Sequence, residues 1–400
     1  MLNPTLAATL GPMRAPFLLL VPVVVALGWA SALHDGHSVA LPDLLLAFAG
    51  ALAAHISVNA LNEYQDFRSG LDLRTQRTPF SGGTGTLPMH PEKAHLALAV
   101  ALISLLIVIA VGAWFIYRRG VALLPLGLTG IALIVFYTRY LTRSPLLCLL
   151  APGVAFGPLM VLGVYFALTG QYGITPALAS TVPLFLVSNL LLMNQFPDQE
   201  ADAGVGRRHL ILARGPQLGV RVYGLFLLAA YVAVLLAVLL RQLPPATLLV
   251  LLTAPLAWVA FRGLREHHED IPLLLPHMGQ NVALNLTAPL LVALGLMLGS
   301  GSAPSHAGAE RTLQQLVAQQ ADYNGRRVVT EGVLRTHTPP RHYWVEDDDY
   351  HRVELRTEQD LSPYLGDTVR VSGEFGYDRG AGRLIRLDWI TLAEGPTPSR

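Results

Sequence analysis

This sequence predicts an all-α transmembrane bundle of about nine helices followed by a small β-rich soluble domain, on three observations. Only 14% of its 400 residues are charged and 52% are hydrophobic, against roughly 25% charged in an ordinary soluble domain. Along residues 1–300, apolar stretches recur between short polar loops, each near the ~20 residues a helix needs to cross a bilayer. After residue 301 the chain turns charged, aromatic and alternating. It therefore divides into a membrane domain over 1–300, a Gly/Ser/Pro/Ala linker over 301–309 and a soluble domain over 310–400.

The spans fall near 15–33, 42–62, 95–117, 120–138, 146–168, 177–197, 219–241, 246–262 and 272–299. The first ends in Ala30-Ser31-Ala32, a pattern that also suits a cleaved signal, but the spans behind it make it the first of them. With the N-terminus in the cytoplasm, one side collects Arg14, Arg68, Arg74, Arg77, Lys93, Arg139, Arg143, Arg207, Arg208, Arg214, Arg221, Arg262 and Arg265. The other keeps Arg118, Arg119 and Arg241. Arginine favours cytoplasmic loops, which predicts this orientation in the cytoplasmic (inner) membrane; an odd span count then puts the C-terminal domain outside.

That domain offers a helix near Glu310–Ala321 and five strands: Arg327–Leu334, His342–Glu346, Arg352–Arg356, Thr368–Phe375 and Leu384–Ile390. One or two helical turns over Glu358–Leu365 separate the third strand from the fourth, an order that resembles an OB-fold barrel. The acidic run Glu346–Asp349 reads as a solvated turn. The net charge of +1 hides 16 Lys+Arg against 12 Asp+Glu in residues 1–300 and 12 against 15 beyond. A net-acidic tail argues against nucleic acid as a partner, and nothing in the tail identifies what it binds. The single cysteine, Cys148, cannot form an intramolecular disulfide.

Half of the twelve acids in 1–300 lie in two clusters, Asn59-Ala-Leu-Asn62-Glu63-Tyr-Gln-Asp66-Phe-Arg68-Ser-Gly-Leu-Asp72 and Asn194-Gln-Phe-Pro197-Asp198-Gln-Glu200-Ala-Asp202. Charge beside a membrane span is costly enough to imply function. His55, Asn59, Asn62 and Asp66 step by four, three and four and so share one helix face; Asn194, Asp198 and Asp202 do the same across a bend at Pro197. Two facing stripes of carboxylates and amides suit Mg2+, which takes one or two carboxylates together with phosphate oxygens. Ordinary interfacial acids need no such register on two separate spans.

These clusters resemble the two aspartate-rich motifs of the UbiA superfamily of intramembrane aromatic prenyltransferases. Asn62, Asp66 and Asp72 match the first, with Glu63 in place of a usual aspartate, and Asp198 and Asp202 match the second. Ala155-Phe156-Gly157-Pro158, Gly163-Val164-Tyr165 and Thr169-Gly170 resemble the fifth span of the 1,4-dihydroxy-2-naphthoate (menaquinone-pathway) branch. The loop Tyr137–Arg143 departs from that branch by carrying Arg139 and Arg143. The resemblance implies Mg2+-dependent transfer of a polyprenyl group from polyprenyl diphosphate to an aromatic acceptor. Asn62, Asp66, Asp198 and Asp202 would carry the chemistry, and Glu63 and Asp72 would join them around the metal.

By position at span ends, Arg68, Arg139, Arg143, Arg207 and Arg208 are candidates to bind the diphosphate. Asn59 and Asn194 extend the two stripes, and His55 is placed to face the acceptor. The glycine-rich segment Thr78–Thr86 reads as a cap whose backbone amides approach the diphosphate. His277, Gln280, Asn281 and Asn285 either line a cavity or bridge helices. A transporter or a membrane-anchored interaction protein is the alternative class. Transporter charges gather near the bilayer midplane, whereas both clusters here lie at span ends, and a mere anchor needs no matched acidic motifs.

Overall fold

Prolines and glycines punctuate the apolar sequence into α1 (Ala8–His34), α2 (Leu41–Ser69), α3 (Pro91–Arg119), α4 (Val121–Phe136), α5 (Pro145–Thr169), α6 (Ile174–Asn194), α7 (Pro216–Leu239), α8 (Pro245–His267) and α9 (Ile271–Gly299). The computed structural model describes residues 4–75, 77–299, 309–337, 342–357, 359–378, 380 and 382–393. It divides into two units, Met1–Gly301 and Ser302–Arg400. Except for Ala309, the linker expected at 301–309 lies outside the described residues.

Among the described residues the bundle has the nine helices expected, eight of them long and apolar enough to cross a membrane and α4 shorter. At 1.5 Å per residue α4 covers ~24 Å, less than a hydrocarbon core of about 30 Å. It still runs from one end of the bundle to the other. Before α4, Arg119 pairs with Asp43 at the start of α2 (2.7 Å); after it, Thr138 Oγ1 accepts from Asn62 Nδ2 near the end of α2 (3.0 Å).

Helix α2 opens on Pro42 and continues unbroken through the first acidic cluster to Gly70, whose left-handed backbone (φ 77°) ends it. Helix α6 instead stops at Asn194, short of the expected 197. Pro197 lacks an N–H, and in a continued helix its ring would strike the carbonyl four residues back. A turn follows, and a separate short helix, Gln199–Ala203, carries Asp202. In α5 a π-helical segment, Ala155–Leu159, accommodates Pro158. Helices α5 and α6 touch backbone to backbone: a Cβ on Gly153 would lie 2.0 Å from Leu184 O.

The main apolar core joins α1 and α5 to α9, while α2, α3 and α4 pack through smaller clusters and leave a cavity beside α5. Asn281 bridges helices within this core, while Asn285 Nδ2 donates back to Asn281 O (2.9 Å) inside α9. Tyr223 Oη donates to Asn281 Oδ1 (3.0 Å), and Asn189 Nδ2 donates to Tyr223 O (2.9 Å), tying α6, α7 and α9 together. His277 stacks on His267 with ring centroids 5.7 Å apart and contacts Gln280 Oε1 at 2.8 Å. His34 Nδ1 donates to Leu296 O (3.2 Å), so the chain leaves this unit at the end away from Asp66.

In the second unit six strands form, one more than expected: β1 (Ala309–Glu310), β2 (Arg326–His337), β3 (His342–Glu346), β4 (Arg352–Arg356), β5 (Thr368–Asp378) and β6 (Gly382–Leu392). The expected N-terminal helix is two short ones, α10 (Leu313–Ala318) and α11 (Gln320–Tyr323), and Ser362–Tyr364 forms a 3-10 turn between β4 and β5. Strand β2 pairs with both β3 and β5, β5 with β6, β6 with β4 and β4 with β3, so the ladder closes on itself. Alternating Val and Leu side chains of the strands, with Leu313 and Leu316 of α10, fill a core of its own.

Candidate active site

The two acidic clusters meet at one end of the membrane unit. Asn62 and Asp66 come from the last turns of α2, and Asp72 from a 3-10 turn just beyond it. Asn194 comes from the end of α6, Asp198 from the turn after it and Asp202 from the short helix. Together with Arg14, Arg207, Ser81 and Gly82 they line a polar chamber of about 110 Å3. Arg14, Asn62, Tyr137 and Leu191 also line a second cavity, apolar and about 540 Å3, between α2, α3, α4, α5 and α6. Helix periodicity predicts the first stripe. The second survives the helix break because the turn and short helix return Asp198 and Asp202 to the same space.

One guanidinium joins the motifs: Arg207 Nη2 donates to Asp66 Oδ1, and its Nη1 donates to Asp202 Oδ1 (3.0 Å). The remaining acids are under-compensated. Asp72 Oδ2 and Asp198 Oδ1 are buried without a hydrogen-bond partner among the described residues. Burial, with Glu63 and Asp66 nearby, pushes the Asp72 carboxyl up to about 7; burial, with Asp202 nearby, does the same to Asp198. Orphaned carboxylate oxygens in a chamber of oxygen donors fit a hard divalent cation. Among the described residues no three acidic, His or Cys side chains form a closed metal cage.

Glu63 is placed differently from the other acids. It is fully buried and does not line the chamber. Its Oε1 accepts from Arg14 Nε (2.8 Å) and from Thr84 N–H (2.8 Å), and its Oε2 accepts from Thr84 Oγ1 (3.2 Å). The carboxylate thus clasps the glycine-rich segment and the turn at Arg14 within α1 onto the first motif. Gly83 sits in the left-handed region (φ 70°), and a Cβ there would lie 3.0 Å from Asp72 Oδ1.

Of the five arginines, only Arg207 reaches the chamber. Arg68, Arg139, Arg143 and Arg208 are exposed and line neither cavity. Arg139 stacks over Tyr140 (5.7 Å). His55 lines the apolar cavity, edge-on to Phe156 (4.7 Å between centroids), with Nδ1 unpartnered. Asn59 lines it too and donates to Met13 O (3.0 Å). Sequence reasoning passed over Arg14, Tyr137 and His209. Arg14 holds a left-handed turn (φ 53°) that turns it toward Glu63, which no local pattern announces. His209 is nearly fully buried beside Asp202 and Arg207, and burial with Arg207 nearby pushes its ring down to about 4.

The profile of the UbiA prenyltransferase family matches residues 19–275, more than half of the chain. The chain belongs to this family. It is a prenyltransferase and an integral, multi-pass membrane protein. It is 28% identical over 268 residues to a 1,4-dihydroxy-2-naphthoate octaprenyltransferase of Bacillus subtilis, covering 65% of this chain and 81% of that one. To the UbiA prenyltransferase domain-containing protein 1 of Homo sapiens it is 29% identical over 303 residues, covering 70% and 80%. Two solved structures share the fold of this UbiA chain. The UbiA homolog of Aeropyrum pernix K1 gives a TM-score of 0.52 at 18% identity, covering 69% of this chain and 97% of that one. The Archaeoglobus fulgidus homolog bound to GPP and Mg2+ gives 0.52 at 12% identity, covering 74% and 99%.

Proposed function

We propose that this UbiA-family protein transfers a polyprenyl group from polyprenyl diphosphate to an aromatic acceptor of the 1,4-dihydroxy-2-naphthoate class, in quinone biosynthesis. One observation carries the reading: a chamber of orphaned carboxylates adjoins a larger apolar cavity, with Asn62 and Arg14 on the wall of both. A diphosphate head with a prenyl tail has this division of polarity. The Bacillus relative's octaprenyl and naphthoate substrates, and the GPP and Mg2+ of the Archaeoglobus homolog, support it.

Asp66, Asp72, Asp198 and Asp202 would hold Mg2+, with Asn62 and Asn194 beside them. Bound there, the metal supplies charge stabilisation for the departing diphosphate. The chain does the rest. Arg207 and Arg14 present guanidinium N–H groups to diphosphate oxygens, and the apolar walls hold the tail and keep water from the allylic cation formed as the C–O bond breaks. His55, unpartnered at Nδ1 in the apolar cavity, faces the acceptor and takes up the proton that the aromatic ring loses. Purified protein given a panel of prenyl diphosphates and aromatic acids should form prenylated product with Mg2+ and none with excess chelator. Product formation unaffected by chelator would sink the metal reading, and failure with every aromatic acid would sink the acceptor class.

We also read the chamber end as cytoplasmic, because the arginines gather there, and residues 310–400 as outside. The one native thiol, Cys148, is buried, so a cysteine introduced at exposed Arg139 or Tyr350 reports its own side. Labelling of both by an impermeant reagent from the same side would refute this topology.

A further inference from the structure

His209 caps the short helix Leu210–Arg214, its Nδ1 accepting from Leu212 N–H at 3.4 Å. A neutral imidazole carries one proton, so a ring that accepts at Nδ1 carries it on Nε2. The ring lines the polar chamber and is only 1% exposed. Its Nε2 stands 3.4 Å from Asp202 Oδ2, with no formed hydrogen bond to any described residue. On its other oxygen Asp202 accepts from Arg207. A buried N–H of fixed tautomer thus stands 3.4 Å from the one oxygen of Asp202 that Arg207 leaves unheld, just short of a formed hydrogen bond.

We propose that His209 is a positioning residue of the site: the helix cap fixes its tautomer, and the fixed Nε2–H, 3.4 Å from Oδ2, closes on the Asp202 carboxylate when a cation binds so that Oδ1 stays turned to the chamber. The inference rests on reading that chamber as a divalent cation–diphosphate site. A carboxylate held from behind loses little freedom when it takes up a cation. Partners of this kind typically change metal affinity by about 10–100-fold.

Two substitutions separate the cap from the donor. In His209→Asn the amide oxygen replaces Nδ1 and caps as well as any residue, but the side chain is too short to reach Asp202. In His209→Gln the amide N–H replaces Nε2–H, and the cap is weakened. Binding of Mn2+ in the presence of inorganic pyrophosphate, followed by electron paramagnetic resonance on the full chain in detergent, reads the site without turnover. The thermal midpoint is measured alongside.

The expected result is parent-like thermal stability for His209→Asn with Mn2+ affinity weakened about tenfold or more, and substantial recovery of affinity in His209→Gln despite a lower midpoint. In assays, His209→Asn should regain parent kcat once Mg2+ is raised. Parent-like Mn2+ affinity in His209→Asn overturns the proposal and leaves His209 as a cap alone. Equal loss in both variants also overturns it, because restoring the donor would have restored nothing. Failure of the parent to bind Mn2+ with pyrophosphate strikes the underlying reading of the chamber instead.

Discussion

The membrane unit carries aspartates at both ends, and the two ends treat them differently. Away from the chamber, Asp35 accepts from Tyr165 Oη (2.7 Å) and Thr175 Oγ1 (2.6 Å), and Asp43 pairs with Arg119 (2.7 Å). Each of those carboxylates is matched by donors from another helix. At the chamber end, two of the four aspartates, Asp66 and Asp202, share the guanidinium of Arg207, and Asp72 and Asp198 keep a buried oxygen without a partner among the described residues. A buried, unpartnered carboxylate costs stability. The contrast separates acids that hold the bundle together from acids kept open for a ligand, a distinction that composition alone cannot draw.

The largest effect expected is therefore a double dissociation. Asp198→Ala should lower kcat/KM on the order of 100-fold or more, since a metal ligand contributes several kcal/mol in the transition state. Its thermal midpoint should hold or rise, because an uncompensated buried charge is gone. Asp35→Ala should do the reverse, leaving two buried hydroxyls without their acceptor at a cost of roughly 1–3 kcal/mol while turnover per folded molecule persists. Thermal midpoints and specific activities of the two purified variants decide it. Lost stability in Asp198→Ala with activity intact would erase the contrast between the ends.

Next in size is Arg207. Its planar fork spans Asp66 and Asp202 through two nitrogens, whereas a lysine places all its N–H donors on one. Arg207→Lys should cost about 10-fold or more in kcat/KM. Arg139→Lys and Arg143→Lys, together, should leave kcat and donor KM unchanged, since both arginines are exposed away from the chamber. Impaired kinetics in that double variant would bring the loop between α4 and α5 back into the site.

How much of this was legible before the structure follows from how local each signal is. The face shared by His55, Asn59, Asn62 and Asp66 is set by helix period alone, and α2 keeps that period to Ser69. The second stripe was legible as residues but not as a continuous helix, because Pro197 breaks it. The partner of Glu63 was not legible: Thr84 lies 21 residues on, in a loop whose path depends on several positive-φ glycines. The arginines were legible as topology, yet which one enters the chamber depends on a turn conformation and on the docking of the segment after Asp202. In the C-terminal unit the strands were legible from alternation, while the pairing of β2 with β5 links residues about forty apart and appears only on folding.

A smaller effect should separate Glu63 from the other acids. It clasps Arg14 and Thr84 rather than facing the chamber, so Glu63→Gln should raise donor KM several-fold by loosening Arg14 and the glycine-rich segment, as expected for loss of one charge-assisted hydrogen bond. The Mg2+ concentration for half-maximal rate should not move, whereas Asp72→Asn should raise it. A large Mg2+ shift in Glu63→Gln would make Glu63 a ligand after all and collapse the distinction between clasp and chamber.

The smallest effect expected comes from removing the second unit. A chain ending at Ser302 should retain parent specific activity. The second unit has a hydrophobic core of its own, built from the strands and from Leu313 and Leu316. Every residue lining the polar chamber comes from the first unit, and the chain leaves that unit beside His34, at the end where the aspartates are already matched. If the second unit served turnover, the truncated chain would show a changed kcat with an unchanged Mg2+ requirement. Steady-state kinetics of the truncated and full chains in the same lipid, with the thermal midpoint confirming that α1 to α9 still fold, distinguish the two cases. A lowered kcat at an unchanged midpoint would show that the second unit takes part in the reaction cycle.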